Sequence, residues 1–152
     1  MGIRFATLRD VPELAAKGRR MHALTRFRAF DYDEARVVRS LQAALQRPDR
    51  YVCLVAEAAD GQLAGWLLAV LERHVFSDQL VASVMHYGVP PERRMGGWGV
   101  RLMKAFELWA ASRQVEEIAF SVNSGHDTER IGAFARRLGY GAVGENFVKR
   151  VG

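Results

Sequence analysis

The spacing of apolar residues along the chain changes period several times, and each change marks an element. "IRFAT" alternates like a short strand, and "LRDVPELAAKGRRMHAL" then repeats at helical spacing. Asp10 is the expected N-cap of that helix, with Pro12 in the first turn and Glu13 closing a capping box. After "TRFRAFDYD", Asp33 begins a second helix through about Gln46, which "RPDR" ends because the residue before Pro48 is pushed out of the helical region. "YVCLVAEA" and "LAGWLLAVLERHVF" read as a hairpin, with Asp60 and Gly61 supplying the turn. "QLVASVMHYGV" is a third strand, stopped by Pro90 and Pro91, which cannot donate to a ladder. From Trp98 the residues Leu102, Phe106 and Trp109 recur at helical spacing to about Ser112. "VEEIAFSV" is a strand. "DTERIGAFARRLGY" is a helix with Ile131, Phe134 and Leu138 on one face and Gly139 as its C-cap, and "ENFVKRV" is expected to close the chain as a last strand.

This order, β, α, α, β, β, β, α, β, α, β, predicts an α/β (α+β) class with a mixed sheet and helices on both faces. A chain of 152 residues and 17.0 kDa suits one domain, 1–152. With 49% hydrophobic and 26% charged residues the expectation is a soluble protein, and runs such as "LAGWLLAVL" are too short to span a bilayer. No apolar signal core follows Met1, so the expected location is cytoplasmic, with no membrane partner. The lone cysteine, Cys53, reads as a core residue of a strand, and no spacing suggests a metal. A net charge of +5 permits an anionic partner. The basic residues fall in pairs, at Arg19–Arg20, Arg93–Arg94 and Arg136–Arg137, rather than in the longer runs of a nucleic-acid tail, so no nucleic acid is expected.

The stretch "RRMGGWGVRLM" asks why three glycines surround Trp98 just ahead of a helix, since each costs roughly 0.5–1 kcal/mol in a helix relative to alanine. A dinucleotide fingerprint fails because Leu102 stands where the third glycine should be, and no Gly-Lys-Ser/Thr triplet supports a P-loop. Two readings stay open: a tight strand-to-helix turn, or a helix N-terminus whose free amides hold a pyrophosphate.

The segment "VPPERRMGGWGVRLM" resembles the acyl-CoA-binding motif of the GNAT superfamily of N-acetyltransferases, through Val89, Pro91, Arg94, Gly97, Gly99 and Leu102, and "FARRLGY" resembles its second motif. The resemblance implies a mostly antiparallel central sheet flanked by helices on both faces, and acetyl-CoA as acyl donor. It implies that the main chain of Tyr87, Gly88 and Val89 bonds the pantetheine arm. The amides of Met95, Gly96, Gly97, Trp98, Gly99 and Val100 would cradle the pyrophosphate, Gly96 and Gly99 would admit it closely, and Arg94 would add charge or brace the turn. Trp98 is expected to pack toward the core. Thr128 aligns with the asparagine that usually opens the last helix.

The tyrosine that many members use as general acid falls at Ala135, a departure that leaves the protonation of the leaving thiolate unassigned. The candidate bases are His86, near the thioester end of its strand, and His126 in the loop "NSGHD". Ser83 and Ser121 occupy places where some relatives carry a base, and neither hydroxyl is basic enough alone. For the acceptor, Phe30, Asp31, Tyr32 and Asp33 set carboxylates beside aromatics and would suit a cationic amine; the alternative is that Asp33 only caps a helix and Phe30 only packs. The reading is acetyl transfer to a primary amine of a small molecule or peptide, in a possible homodimer. A non-catalytic acyl-CoA sensor and a basic nucleic-acid-binding module are the alternatives.

Overall fold

Five strands form one sheet in the order in which the chain lays them down: β1 (Gly2–Phe5), β2 (Tyr51–Glu57), β3 (Leu63–Arg73), β4 (Leu80–Gly88) and β5 (Glu117–Phe120). The structure, a computed structural model, describes residues 2–152. Every neighbouring pair is antiparallel except β4 and β5, which are parallel. The parallel pair needs a crossover, and helix α3 (Trp98–Ser112) supplies it.

Helices cover both faces. The first, α1 (Val11–His22), and the second, α2 (Glu34–Leu45), pack Leu14 and Ala44 against Cys53, Val55, Leu63, Trp66 and Leu68. On the other face α3 buries Leu102, Met103, Phe106 and Trp109 against Val52, Leu54, Leu67, Ala69 and Ala82, while Phe134 and Leu138 of α4 (Thr128–Arg137) and its C-cap lean on the same cluster. The helical spacing of Leu102, Phe106 and Trp109 therefore became one buried stripe. At roughly 1.5–3 kcal/mol for each large apolar side chain fully buried, this stripe is the main reason α3 forms.

Helix α4 ends as the sequence predicts. Gly139 adopts a φ of +94°, its amide bonds the Arg136 carbonyl, and the Tyr140 amide reaches back to Ala135. This is the double closure of a Schellman motif.

Two expectations are corrected. Asp10 precedes α1, but its carboxylate does not cap that helix; it accepts from Arg4 and from the Thr7 amide, and Glu13 accepts instead from the amide of Leu63 on β3. A charged guanidinium is a stronger partner than a helix amide, and it claims the carboxylate. The closing strand "ENFVKRV" does not form. Beyond Tyr140 no backbone hydrogen bond is made among the described residues, and Val143, Phe147, Val148 and Val151 are exposed. Gly139, Gly141 and Gly144 precede the run and Phe147 adjoins Val148 within it, so the segment offers neither clean alternation nor an apolar face to bury.

Candidate functional site

Strand β4 outruns its parallel neighbour. Val81 to Val84 pair with Glu117 to Phe120, after which Met85 to Gly88 continue along β3 with no partner on the β5 side. The parting begins at a bulge: Ala69 faces Val84 and Leu68 faces His86, so Met85 is an extra residue. Bulges bend and twist the strand that holds them, and this one turns β4 away from β5. The freed edge of Tyr87 and Gly88 is a row of backbone donors and acceptors.

That edge leads into the glycine stretch. Pro90 and Pro91 end the strand, a short 3-10 helix spans Pro91–Gly96, and Gly97 opens α3 from the left-handed region at φ 71°, with no side chain capping the helix. An L side chain rarely adopts that conformation, which accounts for Gly97. The first amides of α3 thus have neither an intrahelical nor a side-chain acceptor, and the helix dipole makes the place favourable to an anion.

The turn is braced in three directions by consecutive side chains. Glu92 holds Arg20 of α1 through two contacts of 2.5 and 2.6 Å. Arg93 reaches Asp60 in the β2–β3 hairpin at 2.8 Å. Arg94 reaches Asp127, just before α4, at 3.1 Å, and its buried Nε has no partner among the described residues. Arginine beside Glu92 holds that carboxyl down to about 2. The motif's fixed spacing conceals this scaffold, because each partner lies far away in sequence.

The glycines divide by cause. A Cβ on Gly99 would strike the Tyr87 hydroxyl, and one on Gly96 would sit 2.7 Å from the Trp98 indole nitrogen. Both were expected to admit a pyrophosphate; here close protein neighbours already require them. Trp98 is half-buried against the α3 cluster, with the Arg101 guanidinium 4.7 Å from its ring centroid. The Tyr87 ring stacks on Phe134 at 6.1 Å and meets Phe120 edge-on at 5.8 Å, and burial pushes its phenol up to about 12. Met95 and Val100 are exposed at the mouth of this turn, and Thr128 is exposed at the start of α4.

His86, opposite Leu68, is on the sheet face that carries α1 and α2. Its surface is open to solvent, yet the surrounding chain desolvates the ring enough to lower its pKa from the ordinary histidine value, so it is neutral at pH 7. His126 is elsewhere, its Nε2 3.4 Å from the Asp127 carboxylate that Arg94 also holds.

The expected acceptor residues are not gathered into one cluster. Asp33 caps α2 by accepting from the Arg36 amide at 3.0 Å, and the Tyr32 hydroxyl donates to the Ala15 carbonyl at 2.7 Å, locking the interhelical link onto α1. Phe30 and Asp31 are exposed, with the Arg150 guanidinium 5.8 Å from the Phe30 ring. The same link is tied across to the loop after β5, where the Arg26 guanidinium donates to the Asn123 carbonyl at 2.6 Å and the Arg26 amide donates to the Ser124 carbonyl at 2.8 Å. One further contact escaped the sequence reading: Ser83 donates to Glu72 at 2.9 Å, linking β4 to β3. Ala135, half-buried in α4, brings no acid.

The architecture has known counterparts. A point mutant of the BH1408 protein from Bacillus halodurans superposes with a TM-score of 0.82 at 22% identity, covering 99% of both chains. The aminoglycoside acetyltransferase meta-AAC0020 from an uncultured soil metagenomic sample, solved in complex with sisomicin, gives 0.74 at 17% identity over 99% of this chain and 94% of its own. AAC(6')-Iy, in complex with the bisubstrate analog CoA-S-monomethyl-acetylneamine, gives 0.77 at 16% identity over 98% and 96%. No curated protein sequence is detectably similar. The model of the Acetyltransferase (GNAT) family matches residues 19–140, which contain the freed edge of β4, the glycine-opened helix and the helix that follows β5; the chain belongs to that family.

Proposed function

We propose that the protein transfers an acetyl group from acetyl-CoA to a primary amine of a small molecule or peptide, by direct attack within a ternary complex. The observation that carries this is the meeting of two unsatisfied backbone features: the β4 edge from Met85 to Gly88 and the uncapped start of α3 at Gly97. They suit the two ends of coenzyme A. Amides of Met95, Gly96, Gly97, Trp98, Gly99 and Val100 would bind the diphosphate, and the main chain of Tyr87, Gly88 and Val89 the pantetheine arm. Arg94, with its orphaned Nε, would add a donor on the anionic side. Thr128 at the start of α4 would face the same group. When bound, acetyl-CoA supplies an acyl thioester.

The chain's own residues then position the amine and manage its protons. His86, neutral at pH 7, is a candidate proton acceptor on the face of α1 and α2, and Phe30 and Asp31 are candidate acceptor contacts in the link that borders it. The aminoglycoside ligands of two structural counterparts support an amine acceptor. A non-catalytic acyl-CoA sensor is the second reading, favoured by Ala135 in place of a tyrosine.

The test is release of free thiol from acetyl-CoA across a panel of amines, beside the melting temperature with and without acetyl-CoA. Turnover on one amine and a ligand-induced rise are expected, and Gly97→Val should abolish the rise. That change costs about 1–2 kcal/mol for the left-handed backbone, within what the fold tolerates. Stabilisation without turnover on any amine favours the sensor.

A further inference from the structure

We propose that Glu72 and Ser83 form a proton relay that serves the acceptor amine, Ser83 passing the proton and Glu72 receiving it; this rests on the acyl-transfer reading above. Ser83 Oγ donates to Glu72 Oε2 at 2.9 Å, which fixes the hydroxyl hydrogen on the carboxylate and turns the serine lone pairs toward any donor in front of them. Ser83 directly precedes Val84, the last residue of β4 paired with β5, so the relay stands beside the point where the two strands part. Glu72 pairs with Val81, and Val70 with Ser83, which sets both side chains on the sheet face that His86 also occupies.

A cavity of about 330 Å³ opens there, with Glu72, Ser83 and Ala119 in its lining. The charged and titratable groups around Glu72 are Arg47, Asp49 and Arg50 ahead of β2, Arg73 at the end of β3, His74 just after it, and Glu117 of β5. Arg73 donates through Nε to the Asp78 carbonyl at 2.9 Å, and His74 is 3.8 Å from Glu117. Serine is therefore the hydrogen-bond partner of Glu72 among the described residues. A carboxylate alone on a surface would carry no such role. Here it is coupled to a hydroxyl, in a cavity, next to the splayed edge.

An ammonium and an acyl thioester give an amide, a thiol and one free proton. The C–N bond forms and the C–S bond breaks with its electron pair on sulfur. Of the two protons nitrogen loses, one passes to Ser83 Oγ while the serine hydrogen moves to Glu72 and then to solvent; the other ends on sulfur.

The test follows thiol release from acetyl-CoA with ethylamine, glycinamide and methoxyamine at neutral pH. Glu72→Gln should lower kcat for ethylamine and glycinamide by about 100-fold and leave KM and the acetyl-CoA-induced rise in Tm unchanged. Ser83→Ala should lose as much, the double variant no more than either, and Glu72→Asp should recover part. With methoxyamine, neutral at assay pH, the loss should shrink. An equal loss with methoxyamine in Glu72→Gln, multiplicative losses in the double variant, or no turnover on the probes by a protein that acetyl-CoA still stabilises would each overturn the relay. A parent protein that acetyl-CoA does not stabilise would overturn the acyl-transfer reading itself, and the relay with it.

Discussion

Asp10, 6% exposed, is closed on all sides: Arg4 donates to its two oxygens at 2.8 and 2.9 Å and the Thr7 amide adds a third bond at 2.8 Å. The Arg4 guanidinium, outweighing burial, holds the Asp10 carboxyl below the usual carboxylate range. A lowered folded-state pKa stabilises the fold above the unfolded value of about 4, and that contribution is lost as pH falls through the folded one. Asp10→Asn should therefore cost roughly 2–3 kcal/mol in urea unfolding at pH 7, less than the roughly 3–5 kcal/mol of breaking a fully buried pair because Arg4 keeps contact with water. Its deficit should narrow as the pH is taken below about 4. At Cys53 burial pushes the thiol up to about 12, so at neutral pH it packs as a protonated apolar residue.

Among the elements, β4 carries the decisive irregularity. Removing Met85 would let Val84 and His86 pair with successive residues of β3 and leave every other side chain on the face it now occupies. The core should survive, while the bend that parts β4 from β5 should not. The expected outcome for the Met85 deletion is a melting temperature within a few degrees of the parent and no rise on adding acetyl-CoA. A full ligand-induced rise would show that the bulge is not what opens the edge. Helix α3 is the other decisive element, because its buried stripe fixes the helix while Glu92, Arg93 and Arg94 fix where it starts.

For the molecule as a whole, stability resides in the sheet and its four helices. Residues beyond Tyr140 expose Val143, Phe147, Val148 and Val151, and Tyr140 itself is anchored to Glu107 at 2.8 Å. Truncation after Gly141 should leave the urea midpoint nearly unchanged; a large loss would show that the segment packs on the sheet. Among the described residues no helix is long and apolar enough to cross a membrane. Periodicity made the strands, the helices and their order legible, since both depend on local spacing, and the resemblance of "VPPERRMGGWGVRLM" pointed to the donor end of the site. It misjudged Asp10 because a nearby cap and a distant guanidinium compete for one carboxylate, and only folding brings the guanidinium close. It misread the last strand because a ladder needs a partner as well as β-prone residues. Up to Tyr140 the sequence by itself determined which segments become helix or strand and where bare backbone lies. The tertiary structure alone decided that Arg20 meets Glu92, that Ser83 meets Glu72 and that β4 leaves β5 at Val84, because such pairings depend on register and strand order, which no local window contains.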